Sequence, residues 1–316
     1  LPISPTAMVV VLDTSASMGY RHQGRTVLQR GQEIAARIVE SLPTGSAVGV
    51  LMSSGQGGQP VLLTNLPLAV QHVRDAPLGQ DDTPLTAPVN MAAKLLRDRP
   101  EANREIVVVS DLTRQGWRGM SSLASQDLWK CTIIDCGVER DANVAIHPPR
   151  TEAGSVPCGE TVGVRSSLSS KHLGGAMRLR LSVDGQAVEQ RSVDLSAGRR
   201  VPVAFQVRAD HAGVLFGTLQ LQNDDPLPAD NLRHFTLDVL PAAEVLLVSP
   251  PGGNDRTAFL LGNAIAPPMP GRVDALQRQW ITPKQLNRSV LTKTPLVVLA
   301  NTPSLTPTQW SQLETF

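Results

Sequence analysis

The sequence predicts an α/β protein: a doubly wound, mostly parallel sheet, then an antiparallel β-sandwich, then the start of a second α/β unit. Three patterns carry this expectation. Residues 1 to 140 alternate continuously apolar strand segments with helical periods, the mark of a parallel sheet covered on both faces. Residues 141 to 241 lose the helical period and show short runs of alternating polarity, as an immunoglobulin-like sandwich would. Residues 242 to 316 reopen with a buried-type strand, Glu244–Val248, and then a helical pattern. At roughly 150 residues per domain, a chain of 316 residues suggests two domains, and the patterns divide it into two whole units and part of a third.

In chain order, Met8–Leu12 is the first strand. Val27, Leu28, Ile34, Ala35, Ile38, Val39 and Leu42 recur at helical spacing, and Pro43-Thr44-Gly45 stops the helix. Ala47–Met52 reads as a second strand, and Val61–Leu63 as a third after a turn at Gly55–Gly58. Helices follow over Leu68–Val73 and Thr86–Arg97, then the apolar strand Ile106–Val109. A short helix near Ser121–Trp129 leads to a last strand, Cys131–Val138. In the second unit Met177–Val183 alternates cleanly, Asp184-Gly185 supplies the positive φ of a tight turn, and Ala187–Leu195 runs back. Val201–Val207, Val214–Leu221 and Phe235–Leu240 add strands. The third unit continues with Pro250–Gly253, a helix over Thr257–Ala264, the strand Leu296–Leu299 and the beginning of a helix at Gln309–Phe316. Leu1–Pro5 carries no initiating Met, basic region or apolar signal core, so the sequence is expected to be a window on a longer chain.

Composition narrows the function classes. Hydrophobic residues at 41% suit a globular core, built mainly from Val, Leu, Ile and Ala because aromatics reach only 3%. A net charge of +1, from 29 basic and 28 acidic residues, argues against non-specific nucleic-acid binding. No apolar run approaches the ~18 residues of a membrane span. Cys131 and Cys136 point to opposite faces of one predicted strand and cannot pair with each other. The six histidines are scattered, with no zinc-like spacing to the cysteines.

The residues that carry chemistry lie at strand ends. Asp13-Thr14-Ser15-Ala16-Ser17 follows the first strand, and ligand sites in open α/β sheets lie beyond the carboxyl ends of strands. Asp13, Ser15 and Ser17 offer a carboxylate and two hydroxyls, hard oxygen donors that suit Mg²⁺. Taken alone, the same stretch also fits a turn with a helix cap. Asp111 follows the Ile106–Val109 strand and brings a second carboxylate to the same edge. Thr83 precedes Pro84 and a helical run, where it reads as a cap or as a third hydroxyl donor.

This set resembles the von Willebrand factor type A family, a Rossmann-like fold, and its metal-ion-dependent adhesion site. Asp13, Ser15 and Ser17 match the first loop, Thr83 the second and Asp111 the third; Asp81-Asp82 departs from the glycines common before that threonine. The resemblance implies that Ser15, Ser17 and Thr83 meet a Mg²⁺ or Mn²⁺ ion while Asp13 and Asp111 act through water. A protein partner would complete the shell with a carboxylate. Arg21, Arg25, Arg114 and Arg118, with Tyr20, His22 and Trp117, lie in the two metal loops; they form either a partner-binding basic rim with an exposed aromatic or ordinary solvated arginines and a packed tryptophan. The order of units is similar to aerotolerance-regulator (BatA-like) proteins, on the stretch Asp224–Asn231 before the strand Phe235–Val239. That resemblance implies membrane-spanning segments outside these residues, an extracytoplasmic envelope location, and a third unit like class I glutamine amidotransferases. No Cys follows Cys158, so that family's nucleophile is absent from this stretch.

Other readings stay open. Asp13 could serve as the nucleophile of a Mg²⁺-dependent hydrolase or phosphotransferase, although Ser15 stands where haloacid-dehalogenase-like enzymes need a second aspartate. The first unit could also be a structural domain that no longer binds metal. Asp224, Asp225 and Asp230 offer oxygens for Ca²⁺ or form a solvated turn.

Overall fold

A computed structural model describes residues 4–54, 61–80, 83–120, 129–139, 142–250, 256–267, 276–292, 294–302 and 305–316. The Gly55–Gly58 turn, Asp81-Asp82, most of the Ser121–Trp129 helix and Pro251–Gly253 lie outside the described residues.

The first unit runs β1 (Thr6–Leu12), β2 (Arg21–His22), β3 (Arg25–Thr26), α1 (Val27–Glu40), β4 (Ala47–Met52), α2 (Leu66–Arg74), α3 (Thr86–Arg97), β5 (Asn103–Ser110) and β6 (Lys130–Asp135). Its sheet has the order β4-β1-β5-β6, and every pairing is parallel. All seven residues of β1 are buried, as a central strand covered on both faces requires. Met8, Val10 and Leu12 share a core with Leu28, Ala35 and Val39 of α1 and with Ala69 and Val73 of α2. Ala7, Val9 and Val11 face the other way and pack with Leu85, Val89 and Leu96 on the α3 side. α1 starts where Thr26 and Gln29 form a reciprocal capping box. Val61–Leu63 is not a strand: only Leu63 bridges, to Val48. Cys136 belongs to the α1 side of the sheet and Cys131 to the α3 side, so their thiols face apart.

The second unit comprises β7 (Asn143–Ile146), β8 (Arg150–Thr151), β9 (Ser155–Pro157), β10 (Thr161–Lys171), β11 (Gly175–Val183), β12 (Gln186–Leu195), β13 (Arg200–Arg208), β14 (Gly213–Leu221) and β15 (Leu232–Leu240). One sheet is β13-β10-β7, with β8 also on β10; the other is β12-β11-β14-β15-β9. Leucines of β11 and β14 meet Val162, Val164, Leu168 and Phe205 from the opposite sheet in one shared core. Asp184 (φ 47°) and Gly185 (φ 79°) are both left-handed, the geometry of a tight hairpin turn.

The third unit has β16 (Ala243–Val248), α4 (Arg256–Ile265), β17 (Leu276–Ile281), α5 (Arg288–Leu291), β18 (Leu296–Leu299) and α6 (Pro307–Glu314), with the parallel order β17-β16-β18. Among the described residues no helix is long and apolar enough to cross a membrane.

A clasp joins the first two units. The Tyr20 hydroxyl accepts from Ala142 N–H at 3.0 Å and lies 3.3 Å from Ala142 O, while Arg21 N–H donates to Pro226 O at 2.8 Å. Asp225 accepts from the N–H groups of Val144 and Leu227 and from Asn231 Nδ2. Leu227 packs on the α1 side of the first core.

Candidate metal centre

β1 pairs with β4 on one side and β5 on the other, so the strand order reverses at β1. A switch point of this kind opens a crevice beyond the carboxyl ends of the strands. The hydrogen-bond ladder runs one step past the strand ends: Asp13 N–H donates to Val109 O (2.9 Å), Ser53 N–H to Leu12 O (3.1 Å) and Cys136 N–H to Ser110 O (2.9 Å). Asp13, Ser53 and Ser110 therefore stand level on three neighbouring strands.

Asp13 is 0% exposed. Its Oδ1 accepts from Ser15 N–H (3.0 Å) and the Ser53 hydroxyl (3.2 Å), and its Oδ2 accepts from the Ser110 hydroxyl (2.7 Å). Ser53 and Ser110 are not among the candidates that the sequence offers. The signal that marks them is a hydroxyl at the end of each strand flanking β1. Ser110 Oγ is saturated, since it also accepts from Leu112 N–H (3.1 Å) and Trp117 Nε1–H (3.4 Å).

The remaining candidates gather around this carboxylate. Ser15, 2% exposed, places its Oγ 3.1 Å from that of Ser17. The Ser17 hydroxyl in turn bonds the Asp111 carboxylate. Burial pushes the Asp111 carboxyl above its ordinary range and the Asp13 charge adds to this, against the lowering effect of the Ser17 hydrogen bond. Beneath the site the Cys136 thiol is pushed up to about 12, first by burial and then by the charges of Asp111 and Asp13. None of the ion pairs among the described residues involves Asp13 or Asp111. Leu112, directly after Asp111, takes a left-handed φ of 56°, which turns the third loop back over the strand end.

The second loop is tied to both others. Gly79 N–H donates to Thr14 O (2.6 Å) and Leu85 N–H to Gly116 O (2.8 Å), and Thr83, half-buried, lies between these anchors. α3 begins at Thr86 with Leu85 in the capping position, so Thr83 is not the helix cap. Asp13, Ser15, Ser17 and Asp111 are thus brought together, and Thr83 is held on the segment that bridges the loops. Among the described residues no three His, Cys, Asp or Glu side chains group as a metal site, so a cation here depends on the hydroxyls. The donor set fits Mg²⁺ or Mn²⁺: it contains only hard oxygens, and its two carboxylates have no cationic side chain against them among the described residues.

The rim is partly different from the expectation. Tyr20 is 8% exposed and its hydroxyl is engaged at Ala142, so it belongs to the clasp and not to a rim. Trp117 is half-buried, packed with the α3-side core and bonded to Ser110, because its ring follows the third loop inward. Arg21, His22 and Arg25 are exposed on the β2–β3 hairpin, where Arg25 pairs with Glu33 at 2.7 Å. Arg114 and Arg118 are exposed on the third loop.

With this geometry in place, the comparison with family models decides the class of the first unit. Residues 8–114 match the von Willebrand factor type A domain. Among solved structures, the chain is similar to the vWF domain of the type V pili tip protein from Porphyromonas gingivalis, at 18% identity over 35% of this chain and 39% of that one, with a TM-score of 0.28. It is also similar to the CARDB domain of a Pyrococcus furiosus protein, solved with di-metal ions, at 10% identity over 32% of this chain and 96% of that one, with a TM-score of 0.30. No curated protein sequence matches the chain. The type A domain carries the whole candidate centre, since Asp13 and Asp111 both fall inside the matched residues.

Proposed function

We propose that the type A domain is a metal-dependent protein-binding module. Ser15, Ser17 and Thr83 would hold Mg²⁺ or Mn²⁺ directly, with Asp13 and Asp111 supporting it through water. The ion supplies an open coordination position for a carboxylate of the partner protein. The observation that carries this reading is the pair of neighbouring carboxylates left without any cationic side chain among the described residues, in a shell of three hydroxyls and backbone N–H groups. Binding is favoured over chemistry because Asp13, the one candidate nucleophile, has no exposed oxygen and three hydrogen bonds on its carboxylate. Arg21, His22, Arg25, Arg114 and Arg118 stay as candidate contacts to an acidic partner surface. We place the module in a larger, membrane-anchored envelope protein with its face on the extracytoplasmic side, on the resemblance of its unit order alone.

Isothermal calorimetry of the whole chain with MgCl₂ tests the centre. Wild type should give a saturable heat that Asp13→Ala and the milder Ser17→Ala both abolish, with far-ultraviolet circular dichroism confirming that Ser17→Ala is folded. Equal heats in wild type and Ser17→Ala would remove the site. The adhesion step is tested by capture of partner from envelope extract with and without chelator: a partner retained equally in chelator would refute the metal-bridged mechanism.

A further inference from the structure

The sandwich carries a cluster of charged side chains apart from the candidate metal centre. On the outer face of the β13-β10-β7 sheet an open cavity of about 710 Å³ is lined by His147, Arg150, Glu152, Arg165, Ser167 and Arg200, among others. Strand register explains why these residues meet. Arg150 stands directly opposite Arg165 on the β8–β10 pair, and Arg200 opposite Ser169 on the β10–β13 pair. β10 alternates, so Val164 and Leu168 enter the core while Arg165, Ser167 and Ser169 share the outer face.

Two of the guanidinium groups are held in place. Arg200 donates through Nε to the hydroxyl of Ser167, itself 8% exposed, at 2.8 Å, which leaves the terminal fork of Arg200 without a protein partner among the described residues. Arg165 pairs with Glu152 at 2.6 Å. Glu152 is seated there because β10 has Gly163 at that point: a Cβ on Gly163 would fall 2.3 Å from the Glu152 carboxyl carbon. Arg150 makes no ion pair among the described residues. Three arginines against one glutamate leave a net of two positive charges on the cavity wall. His147, hydrogen-bonded through Nε2 to Ser169 Oγ at 3.0 Å, senses that field. Burial lowers its ring below the ordinary histidine value, and the charges of Arg200 and Arg233 lower it further.

We propose that this cavity binds a phosphate group, presented either by a small phosphomonoester or by an anionic lipid headgroup. Guanidinium forks recognise tetrahedral oxyanions through paired charge-assisted hydrogen bonds. The free fork of Arg200, the Arg150 side chain and the Arg165 edge not taken by Glu152 offer more donors than a single planar carboxylate accepts. The cavity is also larger than the phosphate alone, leaving space for the group that bears it.

The test uses the whole chain and inorganic phosphate as the probe, at constant ionic strength set with chloride. Binding is followed by calorimetry and by the NMR titration of His147, whose pKa rises when a dianion sits beside it. Arg200→Met and Arg150→Met should each weaken phosphate by about ten-fold or more, the loss expected for a charge-assisted pair, while Arg199→Met, outside the cavity, should leave it unchanged. A parallel arm measures co-sedimentation with phosphatidic acid vesicles against phosphatidylcholine vesicles. Phosphate binding with no vesicle preference assigns the soluble source, and both together assign the headgroup. The proposal is overturned if the three variants bind phosphate alike or if wild type does not bind it, and the headgroup source is overturned if phosphatidic acid vesicles that retain wild type retain Arg200→Met equally.

Discussion

A carboxylate without accessible surface persists only when its oxygens are hydrogen-bonded, and Asp13 meets this condition with neutral donors alone. Among the described residues the Ser110 hydroxyl is the sole donor to Oδ2, and it also organises the third loop through Leu112 N–H and the Trp117 ring. Ser110→Ala should therefore destabilise the type A domain by at least about 1–3 kcal/mol, the range for a buried polar group left unpaired, which is larger for a charged one. Urea unfolding followed by tryptophan fluorescence would read this, and an unchanged midpoint would refute the role. At this scale the centre is partly legible in the sequence. Asp13, Ser15 and Ser17 are close together and Asp111 ends an obvious strand, so their chemistry can be read directly. Ser53 and Ser110 cannot, because a serine after a strand is ordinary until the register sets it level with Asp13. Tyr20 and Trp117 lie in the loops of the candidate centre but turn inward, a direction that loop position does not fix.

Among the elements, the continuously apolar strands and the amphipathic helices are readable because burial on both faces or on one stripe leaves a clear period. β17, Leu-Gln-Arg-Gln-Trp-Ile, leaves no such period because it is polar and largely exposed at the sheet edge. β10 is hidden for a different reason: its outer face is arginine and serine, and a run of serines masks the alternation. What neither pattern discloses is how loops are pinned together. Gly79 does this between the first and second loops of the candidate centre, donating to Thr14 O at 2.6 Å. A Cβ there would come within 2.8 Å of both Thr14 O and Ser54 Cβ, and a backbone oxygen cannot swing aside as a flexible side chain would. Gly79→Ala should cost roughly 1–3 kcal/mol as overpacking, and it should weaken Mg²⁺ as well, because the displaced segment carries Thr83. Gly154→Ala, where nothing lies within 4 Å of the added carbon, is the matched control. Equal melting temperatures for the two variants would overturn the argument.

At the scale of the whole molecule, the clasp between the first two units matters because it touches both the first loop of the candidate centre and the sandwich. Tyr20 and Arg21 follow directly on the Ser15–Gly19 turn, and they meet Ala142 and Pro226. The same sandwich loop holds Asp230, which accepts from Asn143 Nδ2 at 2.8 Å. Burial, with the Asp225 charge added, pushes the Asp230 carboxyl up from 3.8 to about 6, against the opposing hydrogen bond from Asn143. Between these two values the folded chain keeps a proton that the unfolded chain has released. Stability from this group is therefore present at low pH and falls as pH rises from about 4 to about 6. Asp230→Asn keeps an oxygen to accept from Asn143 and removes the charge. The variant should melt above wild type at neutral pH, with the gap closing toward pH 4, as differential scanning calorimetry across that range would record. An offset independent of pH would mean that Asp230 carries no buried charge.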